Sequence, residues 1–138
     1  MRILAIDYGR KRIGLAISDP LGITAQPLPT IVEKSPEKVF QHLAGIIQDM
    51  EVKEVVVGLP LRLDSTEGPA AEEVRRFADT LSRMISAPVH LADERLTSAL
   101  ATKLLTLSGY RGKKKKEKVD TVAAQAILQT YLDTKRQR

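Results

Sequence analysis

The amino-acid sequence predicts an α/β protein with a mixed five-stranded sheet flanked by helices. Three strand-like segments follow one another within the first 32 residues, and the later strand-like segments alternate with helical patterns. Close returns of the chain favour antiparallel pairing, whereas strands joined through helices pair in parallel. A chain of 138 residues with 43% hydrophobic residues fits one globular domain, and no linker divides it, so we expect residues 1–138 to form a single domain.

The first three predicted strands form an antiparallel meander. Residues 2–8 are a mostly apolar run typical of a buried strand, and residues 12–18 form a second strand that returns after a tight turn. Residues 23–32 predict a third strand. Pro27 and Pro29 each remove a backbone donor from this strand, so we expect it at an edge of the sheet.

The rest of the chain alternates helices with strands. Ser35 and Pro36 predict the start of a helix, because a hydroxyl residue followed by proline is favoured there. A β-branched run that ends before Pro60 predicts a central strand. The predicted elements are a helix at about 36–50, a strand at 54–59, a loop at 60–69, a helix at 69–85, a strand at 88–93, a helix at 97–107, a basic loop at 109–118 and a last helix at 119–132.

The composition excludes several classes of protein. The chain has no cysteine, so it has neither a disulfide framework nor a thiolate metal site. Its apolar runs are far shorter than the ~18 residues that a membrane span needs. The N-terminal sequence MRILAIDYG has an acid within its apolar stretch and lacks the features of a secretory signal. We therefore expect a cytoplasmic protein without a membrane partner.

The excess positive charge is concentrated near the C-terminus. The whole chain has 22 Lys and Arg against 17 Asp and Glu, a formal net charge of +5. Residues 111–138 have 9 basic and 3 acidic groups, whereas residues 1–110 have 13 basic and 14 acidic groups. Such a basic segment favours binding to a polyanion such as nucleic acid, although a solvated surface has a similar composition.

Two acidic residues stand where apolar side chains are expected. Alternation along the first strand puts Asp7 on the same face as Ile3 and Ala5. At 100° per residue, Asp120 shares the apolar face of the last helix with Ile127. Asp7 could instead cap a turn, and Asp120 could stabilise the first turn of its helix through the helix dipole. The dipole alone would not select the apolar face, so a functional role is favoured.

A third acidic position follows the last predicted strand. Asp93, Glu94 and Arg95 lie at its carboxyl end, where sheets with parallel strands gather their ligands. Alternation sends Asp93 and Glu94 to opposite faces, so only one of them can face Asp7. Arg95 can pair with the other acid or with a phosphate. Three such carboxylates would bind Mg²⁺, which prefers oxygen ligands and, as a pair of ions, supports phosphodiester hydrolysis.

Basic residues adjoin this predicted metal site. A lysine run shortly precedes Asp120, and more basic residues follow Asp7. Such side chains hold a nucleic-acid backbone through its phosphates without reading its sequence. With 3 Tyr and 2 Phe in the chain, we expect no extended base-stacking platform. The predicted nucleic-acid-binding residues are Arg10, Lys11, Arg12, Arg95, Lys113, Lys114, Lys115, Lys116 and Lys118.

Taken together, these motifs resemble the YqgF/RuvX family. The resemblance implies an RNase H-like fold with strand order 3-2-1-4-5, in which the second strand is antiparallel to the first. It also implies a nuclease that matures the 5′ end of the 16S ribosomal RNA precursor in the cytoplasm. The matching motifs are Asp7-Tyr8-Gly9 with Lys11-Arg12-Ile13-Gly14, Val57-Gly58-Leu59-Pro60, Asp93-Glu94-Arg95 with Thr97, and Asp120 with Ala123-Ala124 and Ile127-Leu128.

The same resemblance implies that Asp7, Glu94 and Asp120 are the catalytic acids and the ligands of Mg²⁺ or Mn²⁺. Asp93 is the alternative to Glu94. In RuvC, a more distantly similar resolvase, the second acid is on the fourth strand, where this chain has Gly58. Glu94 would have to reach across from the fifth strand, over a backbone separation of ~10 Å.

Other functions stay open at this point. The same acids and basic surface would serve a DNA nuclease that cuts Holliday junctions, or a non-catalytic RNA-binding factor in ribosome assembly. An Asp-x-Gly hairpin also occurs in sugar kinases and actin-like ATPases, but those proteins close two such domains around ATP. The chain could act as a monomer or as a homodimer, and paired cuts in a junction would need the dimer.

Overall fold

Five strands form one sheet. The computed structural model describes residues 1–96 and the backbone of residues 112–136, with side chains at 122–135 in the second segment. The sheet has the order β3-β2-β1-β4-β5, which confirms the predicted strand order. The strands are β1 (Arg2–Tyr8), β2 (Ile13–Ser18), β3 (Ala25–Ile31), β4 (Val52–Leu59) and β5 (Val89–Asp93).

The pairing directions follow from the connections. β1 pairs antiparallel with β2 across the tight turn and parallel with β4, and β4 pairs parallel with β5. β3 pairs antiparallel with β2 and forms an edge of the sheet, as its two prolines predict. The mixed five-stranded sheet is therefore the one that the sequence predicted.

Helices cover both faces of the sheet. Helix α1 (Pro36–Asp49) and helix α2 (Pro69–Met84) each begin at a proline, whose fixed φ suits the first helical position. Ser35, expected to cap α1, makes no side-chain cap hydrogen bond. A 3₁₀ turn (Glu94–Leu96) follows β5, and helix α3 (Gly112–Arg136) completes the described elements. No helix in the described part of the chain is long and apolar enough to span a bilayer.

Two hydrophobic clusters lie on opposite sides of the sheet. The larger one joins residues of α1 and α2 to one face, which includes Leu4 and Ile6 of β1. The smaller one joins α3 to the other face. It consists of Ile3, Ala5, Ala16, Val56, Ala124, Ile127, Leu128 and Leu132, with Ala92 packed against it. α3 is therefore the element that covers the face on which Ile3 and Ala5 lie.

α3 begins earlier than the sequence predicted. A basic loop was expected at 109–118, but α3 begins at Gly112 and so includes residues 113–118. Lysine is a good helix former, and no glycine or proline follows Gly112 in this segment, so local propensity favours the helix. Asp120 is the ninth residue of α3, beyond the reach of the helix dipole invoked above. The predicted helix at 97–107 falls in the undescribed part of the chain.

A buried carboxylate fixes α3 against the sheet. Glu54 of β4 accepts hydrogen bonds from the Tyr131 hydroxyl and, at 2.6 Å, from the Lys135 ammonium, and His90 Nε2 lies 3.1 Å from it. Burial raises the pKa of Glu54, but the hydrogen bonds from Lys135 and Tyr131 together outweigh it and leave the pKa below its ordinary value. Because Glu54 is near the start of β4 and Ile127 lies against Gly58 near its end, α3 runs opposite to β4.

Candidate active site

Asp7 lies near the carboxyl end of β1, on the face that α3 covers. Ile3 and Ala5 are buried in the smaller cluster, and alternation directs Asp7 to the same side. Asp7 pairs with Gly14 of β2, and because Ile6 pairs with Val57 of β4, the next residue along brings Asp7 beside Gly58. Both strand neighbours of Asp7 are thus glycines, so neither strand places a side chain next to its carboxylate.

Glu94 lies across the fourth strand. Its Oε1 is 2.6 Å and its Cγ 2.7 Å from the point that a Cβ on Gly58 would occupy. Ala92 of β5 pairs with Gly58 and packs against the α3 cluster, so Glu94, two residues further on, follows on that side. The Glu94 side chain therefore lies over β4 at Gly58, in space that only a glycine at this position leaves open.

This arrangement explains how Glu94, which follows the fifth strand, can extend over the fourth strand. The sequence showed Gly58 where a related resolvase has an acid, and that absence made the reach of Glu94 an open question. In the structure the glycine is what admits the glutamate from the neighbouring strand. Sequence reasoning quoted Gly58 without giving it a role, although a glycine inside a β-branched central strand often marks a close approach.

Asp93 faces away from this site. Val89 and Leu91 of β5 pack against the larger cluster, on the side of α1 and α2, and alternation puts Asp93 on that side too. The Arg95 guanidinium holds the Asp93 carboxylate, with Nη2 2.7 Å from Oδ2 and Nε 3.1 Å from Oδ1. Hydrogen bonds from Arg95 keep the pKa of Asp93 below its ordinary value, against a smaller opposing effect of burial.

Arg95 also holds the loop that follows β4. Its Nη1 donates to the backbone carbonyl of Arg62 at 3.1 Å and to that of Leu63 at 3.3 Å, and it lies 3.2 Å from Ser65 Oγ. Ser65 has a φ of +72°, in the left-handed region, so this loop has a tight, specific course. From the sequence, Arg95 was expected to pair with either an acid or a phosphate. In the structure its guanidinium group donates hydrogen bonds to Asp93 and to the loop.

The basic residues after β1 lie on a tight turn. A Cβ on Gly9 would stand 2.5 Å from the carbonyl oxygen of Arg12, so the turn requires glycine there. Arg10 and Lys11 are exposed, and Arg10 pairs with Glu73 of α2 at 3.2 Å. The side chains of the lysine run in α3, residues 113–118, are not among those described.

The donor set suits a hard cation. Among the described side chains, no three His, Cys, Asp or Glu residues form a group that could hold a metal ion. Asp7 and Glu94 lie on the same side of the sheet, at the carboxyl ends of β1 and β5 on either side of β4, with carboxylate oxygens of the kind that Mg²⁺ and Mn²⁺ prefer. These two residues fit such an ion if α3 contributes another carboxylate, and the side chain of Asp120 is not described.

The sheet order and the helix that covers one face define an RNase H-like fold. The RuvX family, described as "Holliday junction resolvase", matches residues 1–134, and the chain belongs to this family. Family membership confirms both the predicted family and the prediction of a nuclease.

The relatives and structural neighbours agree with this assignment. A Chloroflexus aurantiacus protein named "Putative pre-16S rRNA nuclease" is 48% identical over 134 residues, which cover 97% of this chain and 88% of that protein. A Halothermothrix orenii protein of the same name is 44% identical, with 96% of this chain and 95% of that protein covered.

Two solved structures share the fold at low identity. Thermus thermophilus RuvC in complex with a Holliday junction substrate matches with a TM-score of 0.62 and 17% identity, covering 99% of this chain and 96% of that one. The fowlpox virus resolvase bound to Holliday junction DNA matches with a TM-score of 0.60 and 13% identity, covering 97% and 98%. These likenesses confirm the RNase H-like fold class.

Proposed function

We propose that the protein is a divalent-metal-dependent endonuclease that hydrolyses the phosphodiester backbone of the 16S ribosomal RNA precursor near its 5′ end. The observation that carries the proposal is the position of Glu94 over Gly58, beside Asp7. The names of the relatives support the choice of substrate. The activity belongs to residues 1–138 as one domain, and the cytoplasm is its expected location.

The proposed metal ligands are Asp7, Glu94 and Asp120. Asp120 precedes Ile127 by seven residues, nearly two helical turns, so the two positions share a face of α3. Ile127 lies against Gly58, and α3 extends from there, toward its own N-terminus, past the carboxyl ends of β1 and β4. That direction supports Asp120 as the third ligand.

The ligand set assigns different tasks to the chain's own residues. A bound Mg²⁺ or Mn²⁺ would supply the positive charge that activates water and stabilises the leaving oxygen. Asp7 and Glu94 would hold the ion on the α3 side of the sheet. Asp93 lies on the other side with Arg95, so Glu94 is preferred to Asp93 as a ligand. The Asp93–Arg95 pair instead fixes the backbone from which Glu94 extends.

Basic residues are proposed to hold the phosphate backbone of the substrate. Arg10, Lys11 and Arg12 follow Asp7 on the turn after β1, at the same edge of the sheet. Charge–phosphate contacts of this type give affinity without sequence specificity. Arg95 could add a contact only through donors not engaged by Asp93 and the loop. The remaining members of the proposed surface are Lys113, Lys114, Lys115, Lys116 and Lys118.

A DNA nuclease specific for four-way junctions is the second candidate. The description of the matching family favours it. A junction enzyme that makes paired cuts would act as a homodimer, whereas an RNA-processing enzyme can act as a monomer. The two candidates therefore differ in substrate and in oligomeric state, and both can be measured.

The test is parallel cleavage of a precursor rRNA fragment and a synthetic four-way DNA junction, each with Mg²⁺ and with Mn²⁺. Asp7→Asn should abolish cleavage while folding and RNA binding persist, because the substitution removes charge but keeps shape. Asp49→Asn, an exposed change at the end of α1, is the matched control and should cleave normally.

The outcomes separate the candidates. Cleavage of the RNA fragment alone supports the proposal, and cleavage of the junction alone supports the second candidate. Undiminished cleavage by Asp7→Asn would refute the metal mechanism or reveal a contaminating nuclease. Binding of RNA with no cleavage under any metal condition would identify a non-catalytic assembly factor.

A further inference from the structure

A cavity of about 440 Å³ opens on the face of the sheet opposite to Asp7 and Glu94. Tyr8, Phe40 and Phe77 line it. The centroids of Tyr8 and Phe77 are 4.4 Å apart and those of Phe40 and Phe77 5.4 Å apart, with nearly parallel rings. The sequence excluded an extended stacking platform, but three of its five Tyr and Phe residues gather in this one place.

The rim of this aromatic cavity is basic. Four cationic side chains line it, against the two carboxylates of Glu33 and Glu73. Arg10 is paired with Glu73 at 3.2 Å, so one positive and one negative charge offset each other. Lys34, just before α1, and Arg76 on α2 are exposed. The net charge of the rim is positive and complements a phosphate group.

The cavity and the candidate active site share one strand end. Asp7 and Tyr8 are consecutive residues of β1, and alternation sends them to opposite faces of the sheet. Asp7 belongs to the α3 side, and Tyr8 packs against the larger cluster on the other side. The turn at residues 9–12 follows directly after both residues, and its residues Arg10 and Lys11 line the cavity.

We propose that this cavity binds one unpaired nucleotide, with its base against Tyr8 and Phe40 and its phosphates near Lys34 and Arg76. Every base has a π-face, so stacking on such a wall tolerates any sequence. The cavity volume is within the range typical of small-molecule sites. The nucleotide would belong to a single-stranded extension of the substrate that passes around the turn, so the inference rests on the proposed function.

The test uses two RNA hairpins with the same stem, one blunt and one with a three-nucleotide tail that contains 2-aminopurine. Binding is measured by anisotropy and by 2-aminopurine fluorescence in EDTA, so that no cleavage occurs. The pocket variants are Lys34→Ala/Arg76→Ala and Phe40→Leu. The matched control is Lys53→Ala/Arg83→Ala, which removes two exposed cations elsewhere.

The wild type should bind the tailed hairpin more tightly than the blunt one and quench the 2-aminopurine fluorescence. Phe40→Leu keeps an apolar side chain and should weaken binding of the tail about 5-fold or more. The double pocket variant should reduce the salt dependence of tail binding, by about 0.7 in the log–log slope for each phosphate that is no longer neutralised. Binding of the blunt hairpin should not change in either variant, nor should any binding change in the control.

Equal binding of the two hairpins by the wild type, or equal weakening in the pocket and control variants, would overturn the inference. Binding of free AMP or GMP without a preference for the tailed hairpin would also overturn it, in favour of a free nucleotide as the ligand. If the wild type binds neither hairpin, both the proposed function and this inference are refuted. If the wild type binds both hairpins and the pocket variants bind them equally well, the inference is refuted but the proposed function is not.

Discussion

Replacement of Gly58 by alanine should disable catalysis while the protein still folds. The new Cβ would stand 2.6 Å from Glu94 Oε1, 2.7 Å from Glu94 Cγ and 2.6 Å from Ile127 Cδ1. Carbon atoms in ordinary contact are ~3.5–4.0 Å apart, so the Glu94 side chain must move by about 1 Å or more. A displacement of that size in an active site can reduce the rate about 100-fold.

The cost to stability should be small enough to leave the protein folded. Overpacking costs about 1–3 kcal/mol, and loss of glycine's freedom in the unfolded chain returns about 0.4–1 kcal/mol. Glu94 can move because its carboxylate end is flexible, whereas Ile127 is buried and must be accommodated by the core. We therefore expect a free energy of unfolding about 0–2.5 kcal/mol below that of the wild type.

The assay is single-turnover cleavage with enzyme in excess, paired with urea denaturation of the same samples. The matched control is Gly45→Ala in the middle of α1, where an added Cβ meets nothing within 4 Å. That control should gain about 0.5–1 kcal/mol of stability and keep the wild-type rate. A folded Gly58→Ala protein that cleaves at the wild-type rate would refute the role assigned to Glu94.

Other predictions concern the residues that support the site. Because the pKa of Glu54 is lowered in the folded state, its carboxylate stabilises the protein fully above about pH 4.5, and this contribution is lost as the pH falls through the folded-state pKa. Urea denaturation from pH 3 to 7 should therefore show a weaker pH dependence in Glu54→Gln, and curves of equal slope would contradict the prediction. Arg95→Lys keeps the charge but loses the planar fork, so limited proteolysis should cut the loop at 62–66 faster, and an unchanged cleavage pattern would contradict this. Tyr131→Phe should lower the free energy of unfolding by about 1 kcal/mol through loss of its hydrogen bond to Glu54, whereas the control Thr134→Ala, at an exposed position of the same helix, should lower it less.

Much of the fold could be predicted because it depends on local patterns. Alternation identified the face of β1 that carries Asp7, and the two prolines identified β3 as an edge strand. The start of α3 could not be predicted in this way. A lysine run is equally compatible with a solvated loop and with an exposed helix. Only weak helix propensities favour a helix that begins as early as Gly112.

The candidate site could likewise be predicted only where it depends on local patterns. Alternation correctly separated Asp93 and Glu94 onto opposite faces, but β5 is short and four of its five residues are partly buried, so its own pattern does not show which face is which. That distinction requires the pairing of Ala92 with Gly58, a contact between distant parts of the chain. The use of Arg95 to hold both Asp93 and the loop likewise depends on tertiary contacts that sequence spacing does not encode.

The central claim is that Asp7, Glu94 and Asp120 bind one divalent-metal centre, and Mn²⁺ titration followed by electron paramagnetic resonance tests it most directly. Asp7→Asn, Glu94→Gln and Asp120→Asn should each weaken Mn²⁺ binding by roughly tenfold or more, whereas Asp93→Asn and the Asp49→Asn control should bind Mn²⁺ as the wild type does. If Asp93→Asn loses the ion while Glu94→Gln retains it, the assignment of the site is wrong.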